Sequence, residues 1–362
     1  MEYLPLDLSD GSTLTMDALL AAGDPPNIYV DYIGRASKYL VPDFSLDLSQ
    51  YIDTSVYQPS ALAPFMRDGQ LLGLPQPGGA QAMAVNLEIM DEIGYTVPDR
   101  WTIDDFLEMA ALVRDYYDGE KWATGMFAGN QSGDYLINNW FAAFGVEKYA
   151  EGYDHTTIQN GGAEVYEFFQ TLVREGFVPP GSATLVDDDY VIQWAVGDLA
   201  ATAFFEGWTE PYFNSVIAQG LRDEPFPYEF VPFPRAEGVE NVPSYMSNGA
   251  MVAFQTGDPI ADAAAAAWIA GANGRAAQSH QVIEANTIAN RTDVTVQSAN
   301  PHVAQIAAVV AAGGIMDVGL TSPFFAAVRP THVPVLQQVL NLDITPEEGI
   351  EEWARRINEA LR

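Results

Sequence analysis

The stretch from Asp68 to Val113 leaves this chain few folds to choose from. Asp68-Gly69 is a tight-turn dipeptide, Leu71 to Pro75 reads as a short apolar strand, and Pro77-Gly78-Gly79 leads out through a loop that suits only small residues. Ala82 to Asn86 is a second extended run. Leu87 to Ile93 then reads as a helix closed by Gly94, the residue type favoured where the backbone must turn left-handed. After Pro98 a new helix starts at Thr102, with Asp105 three residues on as its capping partner, and Phe106, Ala110, Val113 and Tyr117 recur at helical spacing. Strands alternating with helices at this pitch predict an α/β protein.

At 362 residues the chain exceeds what one hydrophobic core usually serves, so two domains are expected. Charge narrows the partners. Sixteen Lys plus Arg stand against 49 Asp plus Glu, a formal charge of −33 that repels phosphates and argues against nucleic acid and anionic membranes. Only Lys38, Lys121 and Lys148 are lysines, a composition that fits either a salt-adapted protein or ordinary solubility through charge. With no cysteine there is no disulfide, no thiolate metal site and no cysteine nucleophile. The apolar runs Ala263 to Ala270 and Ile306 to Met316 are too short to span a bilayer, and the start lacks the pattern of an export signal.

Further along, the first 23 residues hold a candidate strand and then a helix with Leu14, Ala18 and Ala21 in phase. Asn27 to Tyr32 is a β-branched and aromatic strand, and Arg35 to Leu40 a short helix. Helices are expected from Tyr135 to Gly145 and from Gly162 to Glu175; Asp187-Asp188-Asp189 is read as the capped start of a third, since acids favour a helix N-terminus. Leu199 to Phe205 is a continuous apolar run, the mark of a strand buried on both faces, and delivers Glu206-Gly207-Trp208 at its end. Pro225 to Pro234 is extended, Met251 to Phe254 is a strand, and Asp258-Pro259 opens a helix reaching Trp268. Pro301 to Ala312 is another helix. Thr345-Pro346-Glu347-Glu348 is a capping box for the last one, whose buried stripe is Ile350, Trp353, Ile357 and Leu361.

This order of motifs resembles the extracellular solute-binding proteins of ABC importers, of the sugar-binding, maltose-binding-protein-like kind. AAGDPPNIYVD from Ala21, Leu46 to Asp53, the Asp68 to Val113 series, the apolar strand before Gly207-Trp208, and Thr321 to Arg329 carry the resemblance, which runs nearly the whole chain. It implies a two-lobed α/β fold of the type II periplasmic-binding-protein class. Lobe 1 would comprise residues 1–84 and 250–299 and lobe 2 residues 85–249 and 300–362, with three crossovers at a hinge near 82–86, 247–254 and 297–301. Family members normally begin with an apolar strand and a long helix that have no counterpart here, so a shortened N-terminus is expected, and with it an export signal lying outside this sequence.

The resemblance implies capture of a carbohydrate in a cleft between the lobes, hinge closure, and delivery to the membrane subunits of an ABC permease by a monomer outside the cytoplasm, with lipid anchoring in a longer form. No cofactor, metal or chemical turnover is implied. A pyranose has an apolar face and a rim of hydroxyls, so its site needs flat aromatic platforms and hydrogen-bonding side chains. Trp208, Tyr135 and Phe325 are the expected platforms; Asp31, Tyr32, Gln76, Gln81, Asp134, Asn248 and Arg329 are the expected rim. Trp140, Trp194, Trp268 and Trp353, at helical spacing, are assigned to packing.

Two other chemistries stay open. No phosphate loop, nucleophile turn or zinc pair occurs, and His155, His280, His302 and His332 are scattered, yet glycoside hydrolysis needs only two carboxylates, for which Glu206 and Asp134 are the pair to test. A cationic solute such as a polyamine would instead need acids gathered in the site.

Overall fold

The computed structural model describes residues 14–320 and 322–362. The candidate strand within the first 13 residues lies outside them. The chain forms two compact units, the first holding Met1–Gly79, Ser247–Ala299 and Gly319–Ala326, the second Ala80–Met246, Asn300–Val318 and Ala327–Arg362.

In the first unit, strand Gly249–Ala253 lies between Ile28–Tyr32 and Leu74–Pro75, antiparallel to both, with Met251 opposite Val30 on one side and Leu74 on the other. The run expected from Leu71 to Pro75 is in fact two strands. Its first half, Gln70–Leu71, folds back on Met66–Arg67 through Asp68-Gly69, both at positive φ (51° and 82°), the geometry a two-residue hairpin turn requires. Its second half joins the sheet. The break falls at Gly73, where a β-carbon would come within 3.0 Å of the Met251 carbonyl and of the Phe65 ring. Tyr29, Tyr39, Leu48, Phe65, Leu72, Val252 and Phe254 build the core. Helix Pro259–Ala272 packs on it through Ala265, Ala266 and Ile269. Trp268, expected to pack, is 36% exposed, because the inward stripe passes beside it and leaves the indole on the flank of the helix.

The second unit is built on strand Gly79–Asn86, which pairs antiparallel with Ala201–Phe205 and Tyr228–Val231 and also with Met246–Ser247. Gln81 faces Phe205 and Met83 faces both Ala203 and Val231. All five residues of Ala201–Phe205 are buried, as the unbroken apolar run requires. Asn86 ends the central strand and caps helix Leu87–Ile93, accepting from Glu88 N and Ile89 N; Gly94 closes that helix at φ 69°. Helix Ile103–Tyr117 begins with the reciprocal Thr102–Asp105 box, and Pro346–Ala360 with its Thr345–Glu348 equivalent. Phe106, Trp140, Phe141, Phe168, Phe169 and Trp353 interlock through edge-to-face and tilted ring contacts that join Ile103–Tyr117 and Pro346–Ala360 to helices Asp134–Ala143 and Gly162–Arg174.

Candidate functional site

In the second unit the central sheet ends in an aromatic cluster. Strand Ala201–Phe205 runs directly into helix Glu206–Ala218, which sequence patterning did not indicate, and Trp208 is the third residue of that helix. Its indole lies 4.7 Å from the Phe205 ring, 5.7 Å and nearly perpendicular (81°) to Tyr135, and 5.9 Å from Phe204, centroid to centroid. Tyr135, delivered by helix Asp134–Ala143, is buried and also faces Phe205 and Tyr245. Trp208 is partly exposed, the rest of its surface lying against these rings.

A neutral polar pair lies beside this cluster. Gln81, opposite Phe205 in the sheet, accepts through Oε1 from Asn139 Nδ2 at 2.6 Å, and Asn139 also donates to the Tyr135 carbonyl at 2.7 Å. Gln81 Nε2, Asn139 Oδ1 and the Tyr135 hydroxyl are buried without a hydrogen-bond partner among the described residues. Burial pushes the Tyr135 phenol well above its ordinary range, so it stays neutral.

Asp134 and Arg329, both expected on the polar rim, meet each other. The guanidinium donates to both carboxylate oxygens, Nε to Oδ2 at 3.0 Å and Nη2 to Oδ1 at 2.9 Å, and both residues are buried. Around the pair stand His332, whose Nδ1 lies 2.7 Å from the Arg329 carbonyl, and Lys148, whose ammonium is 5.5 Å from the rings of both Tyr149 and Trp353. Burial is the largest influence on each, lowering Lys148 to about 8 and His332 to about 4. Glu206, the other candidate acid, accepts from Tyr228, Thr209 and Asn300.

The first unit gathers Asp31, Tyr32 and Phe325. Asp31 binds Arg35 through two contacts, at 2.8 and 2.6 Å, and accepts from the Tyr29 hydroxyl and from Tyr32 N. Phe325 is buried, 5.9 Å from Tyr32 and directly over Gly34, where a β-carbon would fall 2.3 Å from its ring. Gln76 is partly exposed and its amide lies over Gly249; Asn248 Oδ1 is buried without a partner among the described residues. Phe205, Tyr245, Asn139 and Lys148 carry parts of these arrangements that sequence reasoning missed. Phe205 was the readable one, next to Glu206-Gly207-Trp208 at a strand end.

Residues 9–319 match the family model described as bacterial extracellular solute-binding protein. The chain belongs to that family. Comparison with curated protein sequences found no match. Maltose-bound MalE3 of T. maritima superposes on this solute-binding protein with a TM-score of 0.81 at 17% identity, over 99% of this chain and 91% of that one. The ABC substrate-binding protein of Listeria monocytogenes in complex with cycloalternan gives 0.75 at 16% identity, over 96% and 87%. UgpB from Mycobacterium tuberculosis in complex with glycerophosphocholine gives 0.79 at 14%, also over 96% and 87%. At such identities the likeness establishes the fold, that of the two-lobed periplasmic binding proteins, and the family is one of binding proteins rather than enzymes. Among the described residues no helix is long and apolar enough to cross a membrane.

Proposed function

We propose that this solute-binding protein captures a sugar or oligosaccharide on the Trp208 face and passes it to an ABC-type permease without changing it chemically. The observation that carries this reading is the indole itself, partly exposed and held edge-on by Tyr135 and against Phe205. Such a face matches the C–H side of a pyranose, and its ordering cost is already met by the packing behind it. The neighbouring Gln81–Asn139 amides are neutral, which suits hydroxyl groups. Asp134 is committed to Arg329, so neither a cationic solute nor an acid–base reaction has that carboxylate at its disposal. Sugars named with structural neighbours, maltose and cycloalternan, agree with this chemistry.

The test is a thermal-shift screen of mono- and oligosaccharides, polyols and polyamines, followed by calorimetry on the best ligand. A ligand at 100 times its dissociation constant stabilises the fold by about 2.7 kcal/mol, which is readily seen. We expect one carbohydrate class to stabilise the chain, affinity to be nearly independent of salt, the sugar to be recovered intact, and Trp208→Ala to weaken binding by about 2 kcal/mol. A polyamine bound with steep salt dependence, or a hydrolysed oligosaccharide, would overturn the proposal.

A further inference from the structure

Glu206 is a buried carboxylate with no cationic partner within ion-pair distance among the described residues. Burial pushes its pKa up, and the Asn300 Nδ2 donor, the nearby His302 ring, the Tyr228 hydroxyl at 3.1 and 3.2 Å, and the Thr209 hydroxyl at 3.4 Å oppose that shift. A carboxylate in such a place costs stability to the extent that its hydrogen bonds do not repay its desolvation. What lies next to it is the platform. Glu206 opens the helix whose third residue is Trp208, where the exposed N–H groups of the first turn favour a negative charge.

The donors are themselves tied together. Asn300 caps helix Pro301–Gly313, its Oδ1 accepting from His302 N at 2.9 Å, while its Nδ2 donates to Glu206. The His302 ring in turn stacks on Tyr228, 4.1 Å between centroids and 25° between planes. Glu206, Tyr228, His302 and Asn300 therefore form a closed circuit of contacts linking the Trp208 helix, strand Tyr228–Val231 and helix Pro301–Gly313. Asn300 is also one of the two residues, with Ala327, at which the chain re-enters this unit.

We infer that Glu206 is the positioning residue of the Trp208 platform: its carboxylate, held by Asn300 and Tyr228, sets the angle at which the first turn presents the indole. This rests on Trp208 being the ligand platform. It gives Glu206 a role in binding that requires no proton transfer, and it makes Asn300, remote in sequence, a determinant of affinity.

The experiment uses the whole chain and the carbohydrate that raises its melting temperature most. Asn300→Ser keeps an N-cap acceptor but takes away the amide that reaches Glu206, the shorter hydroxyl being engaged at the cap; Glu206→Gln keeps one acceptor oxygen and Glu206→Ala none. Dissociation constants are read by calorimetry. The orientation of the indole is read from the near-ultraviolet circular dichroism band that is lost in Trp208→Phe. We expect Asn300→Ser and Glu206→Ala to weaken binding about tenfold, the worth of one charge-assisted hydrogen bond, and to alter that band, with Glu206→Gln closer to the parent. Parent affinity and an unaltered band in both Asn300→Ser and Glu206→Ala, alongside weakened binding by Trp208→Ala, would overturn the inference. Unchanged binding by Trp208→Ala would instead sink the platform assignment, and the band alone would then decide whether Glu206 orients the indole.

Discussion

Arg329 and Asp134, 195 positions apart in sequence, face each other with two parallel N–H···O contacts of 3.0 and 2.9 Å inside the second unit. Each satisfies the other, and removing one strands a buried charge. Asp134→Ala should therefore cost about 3–5 kcal/mol of unfolding free energy, measured by urea titration, while Asp134→Leu combined with Arg329→Met should recover most of it. A loss in the double variant equal to the sum of the Asp134→Leu and Arg329→Met losses would show that the pair is not coupled.

His332 makes the same neighbourhood acid-sensitive. Its folded-state pKa, about 4, lies below the 6.5 of a free imidazole because burial disfavours the charged ring. The folded chain thus binds fewer protons than the unfolded one between these values. Stability from this group is complete above pH 6.5, declines as pH falls toward 4, and is lost below that, a span of about 3 kcal/mol. His332→Gln should flatten the slope of unfolding free energy between pH 6.5 and 4.5 relative to the parent.

Lys148 behaves in the opposite pH range. Its folded-state value of about 8 against 10.5 means that its burden is full below pH 8 and is relieved as pH rises toward 10.5. Lys148→Met, which fills the space between Tyr149 and Trp353 without a charge, should raise stability at pH 7 by about 1–3 kcal/mol and abolish the gain the parent shows at high pH. Destabilisation at pH 7 would mean that the ammonium's contacts with the two rings outweigh its desolvation.

The N-terminus of the last helix offers a control, since its cap is a local backbone device. Thr345 accepts from Glu348 N at 3.2 Å while Glu348 accepts from Thr345 N at 3.0 Å. Thr345→Ala should cost about 1 kcal/mol in chemical denaturation and leave ligand affinity unchanged.

Local chemistry made much of this legible. Thr102 with Asp105, Asn86 before Leu87, and Gly94 after Ile93 each satisfy backbone groups within a few residues, so the sequence around them suffices. Helix Glu206–Ala218 was hidden because Gly207 and Pro211 both disfavour a helix; burial of Thr209, Phe213 and Val216 decides the matter, and burial is a tertiary fact. The candidate site divides the same way. Trp208 stood out as an aromatic just past a strand end, but nothing near Asp134 reveals that its partner is Arg329. Phe325 was expected as a ligand platform from the family resemblance, and only the hydrogen of Gly34 explains how its ring settles into the first unit.

The interleaving of the two units bears on how the chain must be made. The first unit needs segments from before residue 79, from 247–299 and from 319–326, and the second needs residues up to the final helix. A ribosome therefore cannot release one finished domain before starting the next, the usual route by which large proteins limit exposure of unfinished cores. For this chain most of synthesis passes with both cores incomplete, and a translocation machinery that keeps the polypeptide extended until its C-terminus arrives would meet no folded obstacle.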